Sequence, residues 1–452
     1  MIKNNELIFN GIILSLPGLL SIIISLISIP IHLSVAGAEN YGNYIIFHFI
    51  LTISSMLNFG ISKSIVISMG NFPKKSRAVA YQGLKYTFIV CCLTSVVFII
   101  FNFLNKQIFE YFFQNKSIFL YFTVSAVSTI FYLSLEGILQ GNEKYKSLSL
   151  YNFLFYSLSL GLPSLTLIYN AELNLDNLLF TSTFLKVLTV ILMLALIVKN
   201  NLIKISDDNI LMNNLRKNSK WLTLNNILVH FYDIFDKYLV KIFLGPIALA
   251  TYSIPQQLTG KLSIFSKGFS VILLTILSKK TLSNKDFDQT IKIFLNITPA
   301  LIFLIFPFYS ILLSLWLGSE FNENILYLTK IFSISGIFAC VSHILITKFE
   351  ASQTLKRNLK FEFALMPFFI LTLYFFTSDK YSLFYIASII LAKETILLFL
   401  RLNLLKKEIK NITHYYIYSI FFILMLYISF VNNFLFYFLE VLLLINVFRN
   451  DK

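Results

Sequence analysis

Stretches of about 20 apolar residues alternate with short polar connections along almost the whole chain. One helix needs about that length to cross ~30 Å of hydrocarbon. The pattern predicts spans over 8–34, 43–67, 86–104, 118–139, 149–169, 177–198, 221–244, 252–278, 293–317, 327–349, 361–377, 382–402, 415–431 and 434–448. The last two are short and are joined by Val431-Asn432-Asn433, so the count is twelve to fourteen, with fourteen the best reading. The expected fold class is an all-α polytopic membrane protein. The first run is too long for a signal-peptide core and reads as a retained span.

Charge adds orientation. The chain carries 37 Lys+Arg against 22 Asp+Glu. Nearly all the positive charge outside the spans falls in every second connection and at the two ends. The alternate connections hold only Lys106, Lys116 and Lys380. Lys and Arg mark the cytoplasmic side, so both ends are expected there. A net charge of +15 spread over short loops suits anionic lipid headgroups and argues against a nucleic-acid partner. Cys91, Cys92 and Cys340 all lie in spans without ligand spacing, so neither a disulfide nor a metal site is expected.

The connections limit chemistry. The longest, Lys199 to Lys220, is about 20 residues, too short for a nucleotide-binding or transferase domain. There is no phosphate-binding Gly-x-x-x-x-Gly-Lys sequence, and an enzyme is not expected. Asp207-Asp208 in that connection reads as solvated loop.

The chain repeats itself. Gly37 and Tyr44 follow span 1 with the same spacing as Gly245 and Tyr252 after span 7. Gln140 after span 4 matches Gln353 after span 10. Six spans per repeat give both halves one orientation, which suits two parallel lobes related by a pseudo-two-fold axis, with a site between them. The organisation read from this is an N-lobe over 1–198, an inter-lobe loop over 199–220, a C-lobe over 221–402 and two further spans over 403–452.

Function must then rest on polar residues inside spans, where a charge at a helix centre costs about 2.5–3.5 kcal/mol on insertion scales. In span 7, His230, Asp233, Lys237 and Lys241 fall on one helical stripe, flanked by Asp236. Span 8 adds Gln257, Lys261 and Lys267, and span 6 adds Lys186. More Lys than Asp or Glu lies in this interior, which favours an anion such as a diphosphate headgroup over a hydrophobic cation. Lys186, Lys237, Lys241, Lys261 and Lys267 are the candidate anion-binding residues. His230, Asp233, Asp236 and Gln257 are the candidate polar or ion-coupling residues, where a proton or sodium ion could bind. Lys393-Glu394 reads as a structural pair, and Glu136, three residues from its span end, as interfacial.

Several short segments carry a resemblance. They are Gly37…Tyr41-Gly42, Leu57-Asn58-Phe59-Gly60-Ile61 and Gly137-Ile138-Leu139-Gln140-Gly141. Further on come Asp236-Lys237-Tyr238, Leu244-Gly245-Pro246…Tyr252 and Leu315-Trp316-Leu317-Gly318-Ser319-Glu320-Phe321. In order and spacing, the chain resembles the O-antigen flippases of the Wzx type, within the multidrug/oligosaccharidyl-lipid/polysaccharide (MOP) exporter superfamily. It departs from the family in having Thr275 where a proline is common, and Asp236-Lys237 where Asp-Arg is common.

The resemblance implies a two-lobed carrier of the bacterial cytoplasmic (inner) membrane. It would move undecaprenyl-diphosphate-linked oligosaccharide repeat units to the outer leaflet for O-antigen, capsule or other surface polysaccharide. Membrane lipids, a polysaccharide polymerase and chain-length machinery are the implied partners, with the carrier a monomer. Competing readings are a lipid II flippase, a multidrug efflux carrier of the same superfamily, and a membrane enzyme such as a polymerase.

Overall fold

The computed structural model describes residues 4–104, 116–167, 175–206, 208–280, 283, 286–292, 294, 305–318, 321–352, 354–378 and 383–406. The expected spans 13 and 14 lie outside the described residues. Those described are overwhelmingly helical, and none of them forms a strand.

The helices are α1 (Asn4–Met56), α2 (Ile61–Asn71), α3 (Ser76–Leu104), α4 (Lys116–Gly141), α5 (Tyr145–Asn152), α6 (Ser159–Thr166), α7 (Leu175–Lys199), α8 (Asn209–Gly260), α9 (Ile264–Ser278), α10 (Tyr309–Leu317), α11 (Glu323–Ala351), α12 (Leu355–Ser378) and α13 (Leu383–Leu404). Residues 286–292 are helical as well. Among the described residues, seven helical stretches are long and apolar enough to cross a membrane. The segment of α8 that carries span 7 is not one of them, because Asp233, Asp236, Lys237 and Lys241 crowd into it.

The chain forms two compact units. The first holds Met1–His230 and Leu274–Lys280; the second holds Phe231–Leu273 and Thr281–Lys452. In the first unit α4 packs against α2, α3 and α7, and α1 packs against α5 and α6. Its core joins Tyr44, Phe47 and Leu51 of α1 to Ile118, Phe122 and Ala126 of α4 and Leu178 and Leu179 of α7. In the second unit α11 and α12 both pack against α13.

Several boundaries differ from those expected, each for a local reason. The connection 199–220 is helical from Asn209. Asp208 caps this helix, its Oδ1 accepting from the Ile210 and Leu211 N–H groups at 3.0 and 3.3 Å. Leu211, Leu215, Ser219 and Leu222 then recur at helical spacing on a buried face. The connection expected at 35–42 is part of α1, whose Ala36 and Ala38 are good helix formers. Span 2 instead breaks at Phe59 and Gly60, both with left-handed φ. Span 5 contains a π-helical segment, Phe153–Leu158, between α5 and α6.

Helix association in lipid draws little from the hydrophobic effect, so close packing of small residues matters. Gly137 and Gly141, one turn apart on α4, lie against α2. A Cβ on Gly137 would sit 2.5 Å from the Ser62 carbonyl oxygen, and one on Gly141 would strike the Met69 sulfur. Two glycines quoted for the family resemblance are therefore contact points between helices.

Candidate functional site

In the second unit, α8 is broken at Gly245, where φ is 88° and ψ 177°. The break lets the helix on either side meet itself. Asp236, before the break and 1% exposed, accepts from the Tyr252 hydroxyl at 2.7 Å and from Gln256 Nε2 at 3.1 Å, both after it. The Lys237 ammonium lies 4.0 Å from Asp236 Oδ1. The Lys237 backbone N–H also donates to Asp236 Oδ1 at 2.8 Å, and a buried carboxylate held by three donors and a nearby cation has its desolvation cost offset. Tyr252 is fully buried and packs edge-on to Phe332 of α11 at 5.2 Å. The Asp236 and Tyr252 of the sequence resemblance are thus hydrogen-bond partners.

The other second-unit candidates do not join this cluster. Lys241 and Lys261 are half-buried, and Lys267 and Gln257 are exposed. Gln256, one residue from the Gln257 singled out in the sequence, is the one that reaches Asp236; helical phase relative to Tyr252 decides which glutamine does so. The side chain of Asp233 lies outside the described residues.

The second unit also holds a buried pair that sequence reading missed. Arg401 of α13 donates to Glu362 of α12 at 2.5 Å, and Asn358 donates to the same oxygen at 2.8 Å. Tyr232 of α8 donates to the Glu362 backbone carbonyl at 3.2 Å. Glu362 and Arg401 lie at the ends of spans 11 and 12, where charge reads as interfacial, and no periodicity links positions 39 apart. Lys393 pairs with Glu394 at 2.8 Å, as expected, and also sits 4.7 Å from the Tyr232 ring centroid.

In the first unit, Lys186 of α7 is 6% exposed, with its ammonium 5.9 Å from the Phe155 ring centroid. No carboxylate among the described residues forms an ion pair with it. A buried lysine without a counter-charge is costly, and such residues in spans mark pathways or ligand contacts. His230 is half-buried, its Nε2 2.9 Å from the Ser55 hydroxyl on α1. Tyr44, the repeat partner of Tyr252, is also buried, and it donates to the Leu160 carbonyl at 2.7 Å. His32 and His48 pack against its ring at 5.1 and 4.6 Å. Each of the two tyrosines is thus buried and donates a hydrogen bond inside its own unit.

Comparison with solved structures places this architecture. A multidrug-resistance MATE-family transporter of the MOP superfamily, solved outward-facing, superposes with a TM-score of 0.68, covering 90% of this chain and 96% of that one at 14% identity. The chain has the fold of the MOP-superfamily transporters. A MOP-superfamily transporter from Pyrococcus furiosus, described for the reverse polarity of its binding pocket, gives a TM-score of 0.69 at 15% identity, covering 89% of this chain and 96% of that chain. A point mutant of the Vibrio cholerae MATE transporter VcmN gives 0.67 at 11% identity, with 90% and 98% covered.

No family model matches the chain. A curated relative does match: the Shigella flexneri protein named "Putative O-antigen transporter" is 23% identical over 373 residues, covering 77% of this chain and 85% of that protein. The resemblance to Wzx-type MOP flippases, read from the motifs, is borne out by this relative and by the fold.

Proposed function

We propose that the protein is a flippase that carries undecaprenyl-diphosphate-linked oligosaccharide repeat units from the inner to the outer leaflet of a bacterial cytoplasmic membrane. It works by alternating access, in the assembly of O-antigen, capsule or another surface polysaccharide. The observation that carries this reading is the match to a named O-antigen transporter over 85% of that protein's length. The interior chemistry supports it. Lys186 is buried and forms no ion pair with a carboxylate among the described residues, and the half-buried Lys237, Lys241 and Lys261, with the exposed Lys267, add positive charge in the second unit. Such an interior suits a diphosphate whose lipid tail stays in the bilayer. Asp236 is the proposed place for a coupling proton or sodium ion in the second unit, and His230, on Ser55, is a separate candidate in the first.

The test is a clean deletion in the native host, followed by mass analysis of undecaprenyl-linked sugars. The expected result is accumulation of a complete diphosphate-linked repeat unit with loss of surface polysaccharide. The second reading, multidrug efflux, is favoured by the MATE-transporter fold. It predicts instead unchanged polysaccharide and raised sensitivity to cationic drugs.

A further inference from the structure

In the first unit, the connection between α7 and α8 holds two hydrophobic side chains outward. Ile205 is 79% exposed, and Ile210, on the first turn of α8, is 69% exposed. The backbone that carries Ile205 is fastened on both sides of it. The Lys204 N–H donates to the Arg77 carbonyl at 3.1 Å, and Gln82 Nε2 donates to the Ser206 carbonyl. Two residues further on, Asp208 pairs with Lys75 at 2.8 Å. These ties bring two connections rich in Lys and Arg together at one end of the unit, the end that such an excess marks as cytoplasmic.

The same ties set the depth of Ile205. The helical stretch Pro73–Ile100 is 28 residues long and apolar enough to cross a membrane. At the helical rise it spans about 42 Å, which matches a bilayer with its headgroups. Arg77 and Gln82 lie inside its cytoplasmic end, by about 6 and 13 Å at that rise. The headgroup layer on each face is about 5–7 Å thick, so Ile205 sits where headgroups give way to acyl chains. The flanking helices show what surrounds it. Phe88 and Leu93 of α3, and Ile191 and Val198 of α7, are all exposed. Apolar side chains turned outward on membrane helices face lipid, so the rim between these helices borders the bilayer. Lys74, Arg77, Lys199 and Lys204 are exposed on the same rim. Of the two carboxylates in the connection, Asp208 is already paired with Lys75, and the side chain of Asp207 lies outside the described residues.

We propose that the connection between α7 and α8 is a docking surface for anionic phospholipids of the cytoplasmic leaflet. Ile205 and Ile210 enter the boundary between headgroups and acyl chains, while Lys74, Arg77, Lys199 and Lys204 hold lipid phosphates around them. An apolar edge buried shallowly beside a basic one is how interfacial segments bind such membranes, and cations next to the leaflet are drawn to its negative lipids. A cytosolic protein would also suit the charges, but it would not reach isoleucines set at this depth. The fastened backbone matters because the apolar tips cannot fold back onto the protein, so lipid contact is built into the connection that leads into α8.

This surface does not depend on what the protein transports, and two measurements on the full chain test it. In the first, Ile205→Cys, with the three native cysteines replaced by serine, carries an environment-sensitive fluorophore in nanodiscs of phosphatidylglycerol and phosphatidylcholine. Blue-shifted emission, quenched by lipids with a nitroxide near the headgroup and not by aqueous iodide, is the expected result. Quenching by iodide instead puts the tip in water or under a cytosolic partner and overturns the proposal. The second measurement keeps the native cysteines, so it stands even if the serine variant does not fold. The protein is extracted from the same bilayers and its retained lipids are counted by mass analysis. Lys199→Glu with Lys204→Glu is expected to cut retained phosphatidylglycerol by about tenfold, with phosphatidylcholine unchanged. Retention equal to that of the native chain overturns the proposal, as does an equal loss of both lipids. Undecaprenyl diphosphate added in equal amount is expected to leave the phosphatidylglycerol in place. If it displaces that lipid, the surface belongs to a polyprenyl diphosphate and the assignment to bulk phospholipid falls.

Discussion

Asp208 shows how a charge in a connecting segment becomes structural. Its carboxyl is held below its usual 3.8, chiefly by the hydrogen bond from Lys75 Nζ at 2.8 Å and then by the N–H groups of Leu211 and Ile210. A carboxyl depressed in the folded state adds stability above its unfolded value and loses it as pH falls through the folded value. The thermal midpoint of the native chain should therefore exceed that of Asp208→Asn at about pH 6. The gap should shrink as pH drops below 3.8 and close once pH falls past the lower folded value, and a gap that persists there would refute the assignment. The Glu362–Arg401 pair is the buried counterpart. Removing one partner strands a charge, at a cost of about 3–5 kcal/mol, whereas replacing both with apolar residues is often neutral. Glu362→Leu alone should lower the thermal midpoint sharply. Adding Arg401→Met should recover most of the loss, and a double-mutant cycle measures the coupling.

At the scale of elements, glycine positions separate contact from conformation. Gly137 meets the Ser62 carbonyl, so Gly137→Ala forces α4 and α2 apart and should destabilise by about 1–3 kcal/mol. Gly260 is helical, with nothing within 4 Å of an added Cβ. There the same change should be neutral or stabilising, because alanine favours a helix by about 1 kcal/mol. Thermal midpoints in one detergent would show opposite signs for the two variants. The motif containing Gly137 and Gly141 was visible in the sequence, but its partner helix was not. The same limit explains what else was legible. Apolar run length revealed the helices, and the matched Gly–Tyr spacing revealed two tyrosines that prove buried and hydrogen-bonded. The cap at Asp208, the π-helical segment and the Glu362–Arg401 pair depend on phase and on long-range pairing, which periodicity does not encode.

At the scale of the whole molecule, the question is whether the interior lysines act on an anionic cargo or only on the fold. The lysines differ in a way that lets variants test it. Lys237 has a carboxylate at 4.0 Å, so part of its charge serves Asp236. Lys186 has no such partner among the described residues, so export that depends on it would point to the cargo rather than to the fold. Lys237→Ala should therefore lower both export and the thermal midpoint, because it leaves Asp236 less well compensated. Lys186→Met should lower export while leaving the midpoint unchanged or raised, because it removes a buried ammonium that forms no ion pair among the described residues and keeps the stem volume. Lys261→Ala, at a half-buried position, should impair export with the protein still reaching the membrane. Complementation of the deletion strain, scored by surface polysaccharide and set beside midpoints of the purified variants, separates these cases. Full export in Lys237→Ala, Lys261→Ala and their double variant would sink the cationic-interior assignment. Loss of export in Lys186→Met with a raised midpoint would mean that the buried charge is kept at the expense of stability, as expected of a group that serves the cargo.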